Sequence, residues 1–454
     1  MHPDATANHA TAESRVRHLH TAPCTQASAA GTMQPSIEAI LADPRSVRPV
    51  YQPIVDLSDG DVVGYEALAR WPQHPTVDPA EVFEAAAAKG VVVEFDWACR
   101  SAALDGALQA NLTDRRSLFL NVEPTAAGML PDRRYTRIRD AIGRLDIVLE
   151  LTERSLLSDP ASVLRLVDRA RRNGCRIALD DIGSHPDSLA LLEFIAPDII
   201  KLDHVLVQDD PTPKLARIIA AVTAHAASTG ALILAEGIET DDNLERARAY
   251  GAVLGQGWMF GRPGPLPYSS ITTEATAEPR PLRNHSIPLV TDRVPAVPSE
   301  LFDAALPAIG RKPLVAALTR QIEQYAEQTH EPLMILSTFQ SAQFFDSTVA
   351  RRYADLAAAN TFVAALGVGM APEPAPGVHG TDLHPGEPLT RQWTIVVVGQ
   401  HYFAAVIARD LGDIGAEDTR RFEFLHTHDR RIVVAAARSL MCRVIPPFPP
   451  HVTL

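Results

Sequence analysis

Residues 146–182, DIVLELTERSLLSDPASVLRLVDRARRNGCRIALDDI, decide the fold. An apolar run, DIVLEL, carries Glu150 near its end, with Glu153 just beyond. A helical pattern follows over Pro160–Asn173, and a second apolar run, RIALDD, ends on Asp180 and Asp181. Strand, helix and strand, with acidic groups at the strand C-termini, is the unit of a β/α barrel, whose strand ends all open onto one face.

The same unit recurs on both sides. Glu66 sits in YEALAR, Asn121 in FLNVEP, Lys201 in IIKLD, Glu236 in LAEGIE and Gln256 in LGQGW. The candidate strands are YQPIVDL, VVGYEALA, SLFLNV, DIVLEL, RIALDD, DIIKLD, LILAEG and VLGQGW. Helices are predicted over Ala80–Gly90, Phe95–Ala110, Arg134–Arg144, Pro160–Asn173, Pro213–Gly230 and Asp241–Gly251, several ending on the glycine that a C-cap favours. Eight strands with interleaved helices in roughly 215 residues predict an α/β fold of the TIM-like (β/α) barrel type. The first two strands are joined only by SDGD, a hairpin connection, so one strand is expected to run against the others.

The whole chain has 454 residues, 46% hydrophobic and 21% charged, enough for two or three domains. Its four cysteines are scattered without CxxC spacing, which predicts neither disulfides nor a zinc site and suits a cytoplasmic location. No apolar run is long enough to span a bilayer. A net charge of −13 argues against a general binder of duplex nucleic acid, though not against a small phosphorylated ligand held through metal. Residues 1–34 read as a disordered leader, 35–266 as the barrel, 267–300 as a proline-rich linker, 301–446 as a second α/β domain and 447–454 as a tail.

Singly, each carboxylate in the barrel series is most simply a salt bridge or a helix cap. At successive strand ends they converge, and so many carboxylates on one face repel unless cations neutralise them. Glu66, Asn121, Glu150 and Asp180 are oxygen donors of the kind a hard cation such as Mg²⁺ or Mn²⁺ prefers. The adjacent Asp180 and Asp181 can bridge two ions. Two cations about 4 Å apart polarise a phosphodiester and activate a water. Lys201 can orient that water or offset developing charge, Glu236 can hold metal or accept a proton, and Gln256 can hydrogen-bond without adding charge. No glycine-rich phosphate loop is present, which argues against nucleoside-triphosphate chemistry.

At YQPIVDL, YEALAR, LNVEP, ELTE, LDDIG, IKLD, AEGIE and QGWMFGRP the chain resembles the EAL family of bacterial cyclic-di-GMP phosphodiesterases, over about residues 36–265. The resemblance implies a modified barrel that uses two Mg²⁺ or Mn²⁺ ions to hydrolyse cyclic di-GMP to linear pGpG. It implies metal-ligand roles for Glu66, Asn121, Glu150, Asp180, Asp181 and Glu236, with Lys201 beside the nucleophilic water and Gln256 supporting the site. Gln52, Arg70 and Arg262 match ligand-contacting positions, and Glu153 matches the glutamate that steadies the loop after the aspartate pair. That loop departs from the family's Phe-Gly-Thr-Gly-Tyr-Ser-Ser-Leu pattern, reading Ile182-Gly183-Ser184-His185-Pro186-Asp187-Ser188-Leu189. His185 or Asp187 can replace a missing contact there. The altered loop leaves a second expectation open, a cyclic-di-GMP receptor that binds without turnover. Family habit implies a homodimer.

The second domain is predicted to hold helices at Pro313–Gln328, Ser347–Asn360 and Arg431–Arg443, with strands PLMILST, TFVAAL, WTIVVVGQ and YFAAVIARD. At LMILSTFQSAQFFDSTVARRYADLAAAN, FVAALGVGM, APGVHGTDLHPGEPL, FAAVIARDLGD and THDRRIVVAAARSL it resembles the DICT domain, which implies sensory regulation by an unnamed small-molecule or protein signal. His426, His428 and Asp429 are expected to cap the following helix. His379, Asp382 and His384 are expected in a solvated loop, and Phe339, Phe344 and Phe345 in the core, with an aromatic-lined ligand pocket as the alternative.

Overall fold

The computed structural model describes residues 35–112, 116–123, 141, 144–152, 159–183, 189, 191–209, 212–267, 294–329 and 331–444. Strands β1 (Arg48–Asp56), β2 (Val62–Arg70), β3 (Ser117–Asn121), β4 (Asp146–Thr152), β5 (Arg176–Ile182), β6 (Ile199–Leu202), β7 (Leu232–Ala235) and β8 (Leu254–Gln256) close into a barrel in sequence order. β1 is antiparallel to both neighbours, β2 and β8, and the other pairs are parallel. The short connection between the first two strands foretold this reversal.

Helices α1 (Pro35–Ala42), α2 (Pro79–Ala88), α3 (Val92–Gln109), α4 (Pro160–Arg172), α5 (Leu191–Ile195), α6 (His204–Gln208), α7 (Pro213–Thr229) and α8 (Asp241–Ala249) are the barrel-domain helices among the described residues. Their starts are written locally. Asp159 accepts from Ser162 N with Pro160 opening α4, and Thr212 and Pro213 do the same for α7. Thr240 and Asn243 form a reciprocal capping box on α8. α7 ends on Gly230 at φ +77°, a left-handed conformation that glycine adopts without a Cβ penalty. The helix expected over residues 134–144 falls largely outside the described residues, as do Glu153, His185 and Asp187.

The barrel interior is plugged by Ile54, Val63, Phe119, Val148, Ala178, Ile199, Leu234 and Leu254, one from each strand and all buried. This apolar layer is the floor on which the polar residues of the mouth stand.

The second domain is a seven-stranded mixed sheet in the order β12-β11-β10-β13-β14-β15-β9. Its strands are β9 (Ala308–Arg311), β10 (Met334–Ser341), β11 (Phe362–Val368), β12 (His379–Asp382), β13 (Gln392–Val398), β14 (Phe403–Asp410) and β15 (Arg421–Thr427). Helices α9 (Lys312–Gln328) and α10 (Ser347–Ala359) pack with Ile335, Val363 and Ile395 on one face. Helix α11 (Arg430–Met441) covers the other, over Leu336, Val396 and Ile407. Two expectations need correction. A strand, β15, intervenes between YFAAVIARD and the last helix, and its alternating charged residues hid it. His379 and Asp382 bound strand β12 instead of lying in a loop. The His379 ring stacks on Phe362 at 4.5 Å, and Asp382 accepts from Gly369 N at 2.7 Å. Asp429 caps α11 as expected, accepting from Arg431 N and Ile432 N.

Helix α11 also joins the domains. Val433, Ala436, Ala437 and Leu440 share one buried apolar cluster with residues of the barrel shell. Two arginines frame that contact. Arg430 donates to Glu193 of α5 (Nε to Oε2, 2.8 Å) and to Ser228 Oγ of α7 (3.0 Å), while His225 Nδ1 lies 2.9 Å from the same carboxylate. Arg438, buried, reaches Asp168 of α4 at 2.9 Å. No helix among the described residues is long and apolar enough to cross a membrane.

Arg430→Ala strips a charged donor from a buried carboxylate, a loss of about 1.5–3 kcal/mol. The expected result is a lower unfolding temperature together with faster amide exchange in α5 and α7. Exchange altered only in the second domain would contradict the docking.

Candidate active site

Side chains alternate along a strand, so residues two apart share a face. One pleat above the apolar floor, each strand therefore offers a second inward residue. From Ile54 in antiparallel β1 this is Gln52, and in β2, where a register irregularity at Val63 leaves Gly64 opposite Ile54, it is Glu66, two residues past Gly64. From Phe119, Val148, Ala178, Ile199, Leu234 and Leu254 it is Asn121, Glu150, Asp180, Lys201, Glu236 and Gln256. The pairings Gln52↔Glu66 and Asn121↔Glu150 confirm the common level. The barrel geometry alone gathers this ring.

Lys201 is its centre. The ammonium lies 2.6 Å from Glu150 Oε1, 2.8 Å from Glu236 Oε1, 3.0 Å from Asp180 Oδ1 and 3.8 Å from Glu66 Oε2. Lys201 is only 1% exposed. Burial pulls its pKa down, yet Asp180, Glu150, Glu236 and Glu66 together hold it well above the ordinary lysine value. Burial lifts the Glu150 carboxyl well above its usual range, and Glu66 lifts it further. Burial also raises Glu236, to about 8, against the pull of Lys201. For Glu66 burial is outweighed by Lys201, Gln256 and Asn121, so its carboxyl sits below the ordinary value.

Amide side chains clamp the acids. Asn121 Nδ2 donates to Glu66 Oε1 at 3.0 Å and Gln256 Nε2 to Glu66 Oε2 at 2.7 Å. Gln256 also donates to Gln52 Oε1 at 3.1 Å, and Gln52 to Gly261 O at 3.3 Å. Asp181 turns away from the strand at φ +57°, a left-handed conformation that Asp tolerates better than most residues. That turn lets the two adjacent aspartates face one point from different sides. Ligating oxygens of Asp180, Asp181 and Glu236 all lie within 4.8 Å of one another. All of them are hard oxygen donors, with Asn121, Glu66 and Glu150 alongside, and this donor set fits a hard divalent cation.

A cleft of about 360 Å³ opens over the ring, lined by Gln52, Glu66, Asp180, Lys201, Glu236 and Gln256. A second of about 720 Å³, with Arg70, Asn121 and Asp181 in its wall, meets the first at Glu66 and Leu68. Arg262 does not enter either lining. Its guanidinium instead lies 4.4 Å from the ring centre of Trp258, which is 53% exposed at the rim. Sequence reading passed over His204, Glu239 and Trp258, which complete the smaller cleft. They lie outside the strands, where no periodicity marks a residue, and only the aromatic of QGWMFGRP carried a signal. Gly237 beside Glu236 is at φ +67°, and a Cβ there would lie 2.5 Å from His204 Cβ, so glycine is required.

With this geometry in hand the comparisons are specific. Residues 38–263 match the EAL domain, and residues 305–411 match the sensory domain in diguanylate cyclases and two-component systems, DICT. The barrel is an EAL domain and the mixed sheet belongs to a DICT domain. Among curated relatives, the cyclic di-GMP phosphodiesterase NbdA of Pseudomonas aeruginosa is 32% identical over 226 residues, covering 48% of this chain and 29% of NbdA. The cyclic di-GMP phosphodiesterase RocR of the same organism is 32% identical over 223 residues, covering 47% of this chain and 57% of RocR. The chain therefore spans well under two thirds of either relative. Among solved structures, a calcium and cyclic-di-GMP complex of Klebsiella pneumoniae BlrP1 aligns at 28% identity with a TM-score of 0.43, over 49% of this chain and 57% of that one.

Lys201→Met keeps an unbranched side chain, one atom shorter, but leaves the carboxylates without their counter-charge. In chelator the substitution should cost about 3–5 kcal/mol, read from urea unfolding. An unchanged midpoint would show that the cluster does not depend on the ammonium.

Proposed function

We propose that this chain hydrolyses cyclic di-GMP to linear pGpG at the barrel mouth, under the control of its DICT domain. The observation that carries the reading is the ring of Glu66, Asn121, Glu150, Asp180 and Glu236 around Lys201, with Asp181 beside it. The phosphodiesterase names of relatives matched across this domain support the substrate.

Glu66, Asn121, Glu150, Asp180, Asp181 and Glu236 would hold Mg²⁺ or Mn²⁺, two ions in all, which supply Lewis acidity to the phosphodiester and to a water. The chain's own groups do the rest. The Lys201 ammonium sits where it can orient the attacking water and offset charge on the phosphoryl oxygens. Glu236, on the rim side of the lysine, is the group to take a proton. Asn121 and Gln256 fix Glu66 in one orientation through their amides, and Gln52 holds Gln256 by accepting from it. Arg70 in the wall of the larger cleft suits a phosphate, because its planar fork of donors matches phosphate oxygens. Trp258 with Arg262 over its ring gives an exposed flat surface for a base to stack on. Glu153 belongs to the same reading as a steadying group for the loop after Asp181. The clefts fall within the roughly 300–1,000 Å³ that ligand sites of this size occupy.

Purified protein given cyclic di-GMP and Mn²⁺ should release pGpG, seen by chromatography. EDTA should abolish release, and Glu66→Ala should lower it by at least about 10²–10³-fold with the fold retained. Tight binding with no product would favour the receptor reading, and undiminished turnover in EDTA would exclude the metal-dependent one. Trp258→Ala should raise KM more than it lowers kcat, by roughly tenfold for a lost stacking contact of about 1–3 kcal/mol; an unchanged KM would remove Trp258 from the ligand surface.

A further inference from the structure

The face of the DICT sheet turned away from the barrel does not close fully under its helices. Between α9, α10 and strands β10, β13 and β15 lies a cavity of about 280 Å³, whose apolar wall includes Phe339, Tyr353, Trp393 and Phe422. Its other side is charged. Glu323 of α9 is 1% exposed, with Arg352 Nε 2.9 Å and Arg320 Nη1 3.1 Å from its Oε2. Tyr353 of α10 donates to Ser337 Oγ at 2.7 Å, fixing the phenol at the boundary between the two sides.

A helix packed on a sheet needs no buried carboxylate between two guanidiniums. Such an arrangement gives up solvation and gains little stability over an apolar filling. It does hold two arginine forks in a defined place beside an aromatic wall. The charges leave a remainder. Glu323 is the one carboxylate lining the cavity among the described residues, against Arg320 and Arg352, while Lys312 at the lip is paired with Glu417. The lining therefore holds one guanidinium more than it holds carboxylates, with the half-exposed Arg320 at its solvent side. A separate observation points to the same place. Gln340, also in the lining, is at φ +52°, at an irregularity where β10 loses register with β11 between Thr338 and Ser341. A left-handed non-glycine residue at a strand bulge is a costly local choice, and such choices cluster where ligands bind.

We propose that this cavity binds a small planar aromatic carboxylate, of roughly 9–20 non-hydrogen atoms for a site of this volume. The ring lies against Trp393 and Phe339, and the carboxylate meets the guanidiniums of Arg352 and Arg320. A cationic ligand is disfavoured by the excess of guanidinium over carboxylate in the lining, and an aliphatic acid forgoes the aromatic wall. The inference concerns binding alone and stands whether or not the barrel turns over cyclic di-GMP.

The test uses the full chain with benzoate, salicylate and indole-3-carboxylate as probes, and indole-3-carboxamide and tryptamine as controls. Binding is read by calorimetry and by quenching of tryptophan fluorescence. The acids should bind saturably, with the quenching lost in Trp393→Phe. Arg320→Gln, at a half-exposed position that tolerates change, should weaken binding about tenfold, as expected for one charge-assisted contact. Arg352→Lys retains the charge but not the fork and should weaken it as well. Three results would each overturn the proposal: no saturable binding of any acid up to about 10 mM, equal binding of the amide or amine controls, or acid binding unchanged in both arginine variants.

Discussion

Everything at the barrel mouth depends on one electrostatic constraint: a buried lysine is shared by Glu66, Glu150, Asp180 and Glu236. Taking an ammonium out of water costs several kcal/mol, and the same holds for each carboxylate. The cost is tolerable only as a set. Withdrawing the lysine leaves the acids repelling one another, while withdrawing the acids strands the lysine. The apolar floor from Ile54 to Leu254 keeps water out from below, and the amides of Asn121 and Gln256 hold Glu66 without adding charge. Burial and the neighbouring carboxylates raise Glu150 and Glu236 above the ordinary carboxylate range, against the pull of Lys201. A donor set under such strain is suited to exchange protons for hard cations.

Most of this site was legible in the sequence because strand periodicity writes it there. Lys201 follows Ile199 by one pleat, just as Glu150 follows Val148 and Asp180 follows Ala178, so the apolar floor and the polar ring can be read together. The reversed first strand was equally plain, since SDGD is too short for a crossover. What escaped reading lies off that pattern. His204, Trp258 and Glu239 reach the cleft from segments after strand ends, and Arg262 packs on Trp258 instead of pointing inward. In the second domain HGTD has the composition of a turn, yet it forms strand β12 because it pairs with Ala364–Gly367.

The contact between domains was invisible for a different reason. Arg430 and Arg438 lie on a helix where arginines ordinarily face water, and their partners Glu193 and Asp168 stand far away in the chain. Once formed, the contact has a defined address. Glu193 is on α5, the short helix that follows the segment after Asp181. The helix that grips it covers one face of the DICT sheet, and the aromatic cavity opens on the other. A single sheet thus separates the cavity from the helix that touches the barrel shell at Glu193, Ser228 and Asp168.

The central claim is that oxygens from separate strands meet around divalent cations. Anomalous diffraction from crystals grown in manganese tests it most directly. Two peaks are expected at the barrel mouth, among the oxygens of Glu66, Asn121, Glu150, Asp180, Asp181 and Glu236. Ordered side chains in the arrangement described, with no anomalous density among them at saturating manganese, would contradict it.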